Sequence, residues 1–260
     1  MKIRHWLLAA CAAAGTAAQA HVNVAPDNAF FLGEAPREYL EGKSAFLSIN
    51  LPHSCSNPDT GKRFATTDVA LLLPNGSGLA ADVAYTADRQ GKVYGANAMM
   101  GTKARVSATW KKVLVRKGEV QPFYSHGLKS EDARAVYWLK SYVDNAHYDN
   151  LEIRTHFPHL SGCTARLKVY VPAAQYCKKG YRIAWIGTAD SSVFQPDAKT
   201  RVEDHYAPYF YVVRDTVNNP LPAACGDGQT VEVRPSVEEI DAYLPLPRGE
   251  HGHGRHHGDD

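Results

Sequence analysis

The feature that most constrains this chain is a succession of short β-type runs, each closed by a turn residue. "SAFLSINLP" (44–52) alternates apolar and polar positions and stops at Pro52. "TTDVALLLPNG" (66–76) follows, ending in Pro74-Asn75-Gly76, and then "ADVAYTA" (81–87) and "RVSATWKKVLV" (105–115). The pattern continues through "ARAVYWLK" (133–140), "DNLEIRTHFP" (149–158), "ARLKVYVPAAQYC" (165–177), "GYRIAWIG" (180–187) and "APYFYVVRD" (207–215). These runs are rich in Val, Ile, Thr and aromatic residues and are separated by Gly, Pro, Asn or Asp, which is strand and turn chemistry. No 12-residue window carries a helical apolar stripe. The pattern predicts an all-β fold, an antiparallel Greek-key β-sandwich of immunoglobulin or cupredoxin shape. Trp110, Trp138 and Trp185 fall inside these runs, and core packing is the ordinary role of aromatics there.

The ends of the chain read differently. Residues 1–20, "MKIRHWLLAACAAAGTAAQA", have a basic start at Lys2 and Arg4, an apolar middle, and Ala18-Gln19-Ala20 as a small-x-small cleavage signal. This is the pattern of a secretory signal peptide, too short for a membrane span. Cleavage at "LAAC" before Cys11 is the rival, and it leaves almost no apolar region. No other segment offers the ~18 apolar residues a spanning helix needs. The reading is a periplasmic or extracellular protein, cut after Ala20. The full chain has a formal charge of +2 and loses two cations with the signal. The neutral remainder carries no basic stripe, so nucleic acid is not an expected partner.

Downstream, "NNPLPAACGDG" (218–228) reads as a loop, and "TVEVRPSVEEIDAYLPLP" (230–247) as a modest strand with one helical turn. "RGEHGHGRHHGDD" (248–260) has no means of burying a core and is predicted to be a disordered His-rich tail. The expected division is therefore signal peptide 1–20, sandwich 21–217, extension 218–247 and tail 248–260.

Cys55, Cys163, Cys177 and Cys225 remain after cleavage. An even count in an exported chain, with no CxxC pair, points to two disulfides, and three connectivities are open.

Cleavage after Ala20 makes His21 the first residue, with a free α-amine and an imidazole on one residue. Their ordinary pKa values of ~8 and ~6.5 allow both to bind a metal near neutral pH. Such nitrogen chelation suits Cu(II). His251, His253, His256 and His257 form a second, unselective metal-binding tract. His53, His126, His147, His156, His159 and His205 are scattered, and loop or surface positions are their ordinary reading. Only Met99 and Met100 follow the signal, too few for a thioether Cu(I) carrier. No G-x-S-x-G, H-E-x-x-H, P-loop or dinucleotide fingerprint occurs, and no enzyme activity is expected.

Taken in order, the motifs resemble the YcnI-like copper-binding domains, in the longer cysteine-containing form of the proteobacterial type. The resemblance rests on His21-Val22 after the signal, "LPHSC" (51–55), "TTDVALLLPNG", "AVYWLK" with "NAHYDNLEIRTHFP", and "CKKGYRIAWIG" (177–187). It runs from about residue 21 to 215, with insertions between 85 and 130. It implies a sandwich that binds Cu(II) through a single N-terminal histidine, with a Glu completing the site and a Trp beside it. Trp185 matches the Trp. The position of the Glu falls at Ala45 or Phe46, and Glu34 and Glu41 are the nearest carboxylates, so Glu41 is the candidate ligand. With the family-like core in mind, Cys55 is expected to pair with Cys177, and Cys163 with Cys225.

The function so implied is copper acquisition, delivery or buffering, with another copper-trafficking protein as partner. A metal-independent adhesion or assembly sandwich is the main alternative, since fold does not fix function. A copper-dependent oxidative polysaccharide-cleaving enzyme is a third reading. It needs a second histidine, for which His147 or His205 are the candidates.

Overall fold

The computed structural model describes residues 23–25, 37–51, 53–57 and 59–247. Its strands in chain order begin with β1 (Asn23–Ala25), β2 (Glu38–Leu40), β3 (Ser44–Leu51), β4 (Cys55–Ser56), β5 (Arg63–Phe64) and β6 (Thr66–Leu72). The middle of the chain forms β7 (Ala84–Ala87), β8 (Val93–Gly95), β9 (Met100–Ala104), β10 (Lys112–Tyr124), β11 (Leu128–Leu139) and β12 (Asp149–His156). The last group is β13 (His159–Leu160), β14 (Thr164–Tyr170), β15 (Ala173–Cys177), β16 (Arg182–Trp185), β17 (Thr200–Glu203), β18 (Tyr209–Val213) and β19 (Gln229–Val233). One α-helix, α1 (Val237–Tyr243), ends the described chain.

One layer is a six-stranded sheet in the order β10-β11-β6-β15-β16-β17. The facing layer holds two four-stranded sheets, β1-β3-β12-β9 and β19-β14-β18-β2, and a three-stranded one, β13-β7-β8. Strands far apart in sequence are neighbours, as β6 is between β11 and β15, which is Greek-key wiring. Most pairs are antiparallel. The parallel ones, β16–β17, β14–β19 and β18–β2, each add an edge strand.

The alternation rule sorts the six-stranded sheet into two buried faces. Val69, Leu71, Val136, Trp138, Ala173, Ile183 and Trp185 point into the core between the layers. Ala70, Leu72, Ala135, Tyr137, Ala174 and Ala184 point the other way, yet are also buried. The reason lies in the C-terminal segment. Ile240, Leu244 and Leu246 pack over that outer face together with Phe194. A strand buried on both faces must read as a continuous apolar run, and "VALLL" (69–73) and "AVYWL" (135–139) do so. The molecule is thus a sandwich with a partial third layer.

Helix α1 is placed by polar chemistry as well as apolar. Ser236 caps it, with Glu239 completing a capping box. Glu239 also forms an ion pair with Arg134 of β11, and Arg116 and Arg134 hold their guanidinium groups 4.4 and 4.5 Å from the Tyr243 ring. The segment expected as an extension is built into the same unit, because β19 also lies beside β14.

Several local expectations change. Residues 105–111 are not strand: β9 ends at Ala104 and β10 starts at Lys112. Trp110 sits in the bend between them, buried, and donates Nε1–H to Asp149 Oδ2 at 2.6 Å. The run 165–177 splits at Val171-Pro172 into β14 and β15, which belong to different layers. Proline lacks the N–H that a continuous ladder requires.

Both disulfides join the expected partners, Cys55–Cys177 and Cys163–Cys225, with Cα separations of 6.1 and 5.2 Å. The first ties the start of β4 to the end of β15. The second ties the start of β14 to the loop before β19. Among the described residues no helix is long and apolar enough to cross a membrane.

Candidate functional site

His21 lies outside the described residues, as do the tail histidines His251, His253, His256 and His257. The strand that follows His21 is described. β1 pairs antiparallel with β3, Asn23 opposite Asn50, Val24 opposite Ile49 and Ala25 opposite Ser48. Asn50 in turn donates Nδ2–H to Oδ1 of Asn150 at 3.0 Å, on the far side of β3. β1 also touches β18. β1 therefore lies at the seam between the two four-stranded sheets.

The loop leading into β18 carries Tyr206, three residues before Tyr209. Trp185 pairs in register with Glu203, the last residue of β17 before that loop. Trp185 is buried, and Tyr206 packs against the same core. Burial pushes the Tyr206 phenol up to about 12, with Tyr209 adding to the effect. A phenol at that value stays protonated and serves as a donor rather than an anion. Sequence reasoning picked out Trp185 but not Tyr206. The latter sits in "DHYAP", where neither periodicity nor a known motif marks it.

Glu41, the candidate carboxylate ligand, is buried and fully engaged. Its Oε1 accepts from the Asp215 N–H at 2.7 Å and from Asn219 Nδ2 at 3.0 Å; its Oε2 accepts from Asn219 Nδ2 at 3.1 Å and from the Leu160 N–H. An ionised carboxylate offers about four lone-pair sites, and four contacts fill them. Glu41 is a structural acceptor that joins the β2–β3 turn to the chain after β18. That use of its lone pairs leaves none for a metal.

The scattered histidines do not converge. His53 Nδ1 is 2.9 Å from the Ser54 carbonyl oxygen, and His147 Nδ1 is 2.7 Å from Oδ1 of Asp144 on the surface. His205 is almost wholly exposed beside Asp204 at 3.4 Å. His156 and His159 bracket the β12–β13 turn. His156 Nδ1 is 3.4 Å from Ser44 Oγ, and the His159 ring stacks on Tyr85 at 5.5 Å. Among the described residues no group of three His, Cys, Asp or Glu is arranged to hold a metal ion.

These features define the class: a disulfide-linked, all-β sandwich whose first described strand lies at a seam between two sheets. The chain belongs to the family described as "Domain of unknown function (DUF1775)", whose sequence model matches residues 35–210. This is the family of the YcnI-like resemblance. The matched span stops inside β18, so β19, α1 and the Cys225 half of the second disulfide lie beyond it. No curated protein matches the chain. Among solved structures it is similar to a protein from Nocardia farcinica whose crystal structure revealed an immunoglobulin-like fold. The two are 14% identical with a TM-score of 0.37, over 67% of this chain and 91% of that one.

Proposed function

We propose that this chain is an exported copper-binding protein, in which Cu(II) is cargo held by the α-amine and imidazole of His21. The role is acquisition, delivery or buffering of copper, with a second copper-trafficking protein as the exchange partner. We assign it no catalytic step.

The observation that carries this reading is the placement of β1. The strand starts two residues after His21 and is hydrogen-bonded to β3 from Asn23 onward. Two residues of chain reach at most about 7 Å. In this reading that short covalent tether to β1 lowers the ordering cost of a chelate at His21. Tyr206 lies three residues before β18, the strand that β1 touches. Two cystine bridges and no free cysteine among the described residues fit an oxidising compartment. Glu41 is not in this ligand set, so the amine and ring of His21 carry the affinity.

The test is copper titration of the chain that begins at His21. One extra residue before His21 turns the amine into an amide, and His21→Ala removes the ring nitrogen. Each change is expected to remove most of the Cu(II) affinity while the far-ultraviolet spectrum stays that of a β protein. Binding requires loss of a proton from the amine, so affinity falls as pH drops below about 7. Deleting 248–260 lowers the copper stoichiometry and leaves the tightest site. Unchanged affinity in the extended chain refutes the proposal and leaves the metal-independent assembly sandwich standing.

A further inference from the structure

At one end of the six-stranded sheet lies an open cleft of about 680 Å³, between the start of β6, the end of β11 and the β15–β16 turn. Four lysines line it: Lys111, Lys140, Lys178 and Lys179. Asp68 is the one acidic residue among the described residues lining it. That carboxylate is buried, with Oδ1 accepting the Lys140 backbone N–H at 2.9 Å. Tyr142 is 67% exposed at the rim, with the Lys178 ammonium 5.9 Å from its ring.

The backbone supplies a second observation. Three non-glycine residues of the described chain have a left-handed conformation, and two of them are Lys140 (φ 61°) and Lys179 (φ 61°). Glycine or asparagine is the residue such positions favour, since Cβ crowds the carbonyl there. The Lys140 turn is enforced by the Asp68 contact and by the Ser141 N–H bonded to the Thr67 carbonyl at 2.9 Å. Strained positions that persist cluster where side chains have a task. Here both residues line the same cleft.

We infer that this cleft is a binding site for a small polyvalent oxyanion bearing phosphate or carboxylate groups. The volume is that of a small-molecule site. Lysine is a point charge on a flexible stem, without the planar fork by which arginine selects one geometry. Four such charges accept either phosphate or carboxylate oxygens, provided two or more lie on one ligand. The inference does not rest on copper binding.

The test uses the metal-free chain from His21, titrated with inorganic pyrophosphate and with citrate at low ionic strength and followed by amide chemical shifts. Saturable shifts confined to residues of the cleft, weakening as salt is raised, are expected for both. The Lys140→Gly/Lys179→Gly variant should bind at least about tenfold more weakly while melting a few degrees higher, because it relieves the left-handed strain. Lys140→Arg/Lys179→Arg keeps the charge and should keep the affinity. Lys111→Gln/Lys178→Gln leaves those backbone positions alone and should also weaken binding. Three results overturn the inference: no saturable shift, equal affinity in the glycine variant, or binding of polyglutamate without either small anion.

Discussion

Asn219 Nδ2 donates to both carboxylate oxygens of Glu41, at 3.0 and 3.1 Å, across 178 positions of sequence. The contact closes the fold between the β2–β3 turn and the segment after β18. Charge-assisted hydrogen bonds are each worth about 1.5–3 kcal/mol, and leaving buried donors unmatched adds to the loss. Glu41→Gln puts an amide N–H where an acceptor is needed. It is expected to lower stability by about 3 kcal/mol in urea unfolding while the copper stoichiometry stays unchanged. Loss of one copper equivalent with stability intact would restore Glu41 as a ligand.

The Cys163–Cys225 bridge holds the loop before β19, an edge strand whose ladder runs to β14 alone. In the chain-entropy model its removal costs about 4 kcal/mol. The paired Cys163→Ser/Cys225→Ser variant should therefore unfold at lower denaturant. It should also exchange the β19 amides faster than those of β6. Protection of β19 equal to that of β6 in the variant would show that the sheet contacts alone suffice.

Ile240 is 2% exposed and packs on the outer face of the six-stranded sheet. Ile240→Ala should cost about 2–5 kcal/mol, by lost burial and an unfilled cavity. Ser236→Ala removes the cap of the same helix and should cost about 1 kcal/mol. Thermal melts of the two variants give the order directly. A cap variant less stable than the core variant would mean that polar chemistry, not packing, seats α1.

Burial holds the His156 imidazole below the ordinary histidine value, helped by nearby His159 and Arg154. The folded state then prefers the neutral ring more than the unfolded state does. Its contribution is present above about 6.5 and is lost as pH falls through the lower folded-state value. His156→Gln should therefore show a shallower fall in stability than the parent between about pH 7 and pH 5. Parallel curves for the two proteins would remove His156 as a source of acid sensitivity.

The strand runs were legible because alternation and turn residues are local: "SAFLSINL" is β3 and "DNLEIRTH" is β12. The same local signal hid the hairpin β10–β11. Its outer half, such as "KGEVQPFY", has no apolar period and is strand only because β11 pairs with it. The cysteine count announced two bridges but not which, since pairing depends on distances that spacing does not contain. The resemblance selected the pairs that the fold holds.

What the sequence determined by itself was the all-β class and the family, because both are written in residue order and side-chain period. Tertiary structure decided the rest. It showed why "VALLL" is apolar at every position: α1 folds back over the outer face, and no local rule foresees a cover, Ile240 clustered with Ala70 and Leu72, that lies so far along the chain. It turned Glu41 from a candidate ligand into a buried acceptor, because hydrogen-bond partners are set by where distant strands meet. And it gathered Lys111, Lys140, Lys178 and Lys179 around one cleft, since electrostatic potential adds over space and not along the chain.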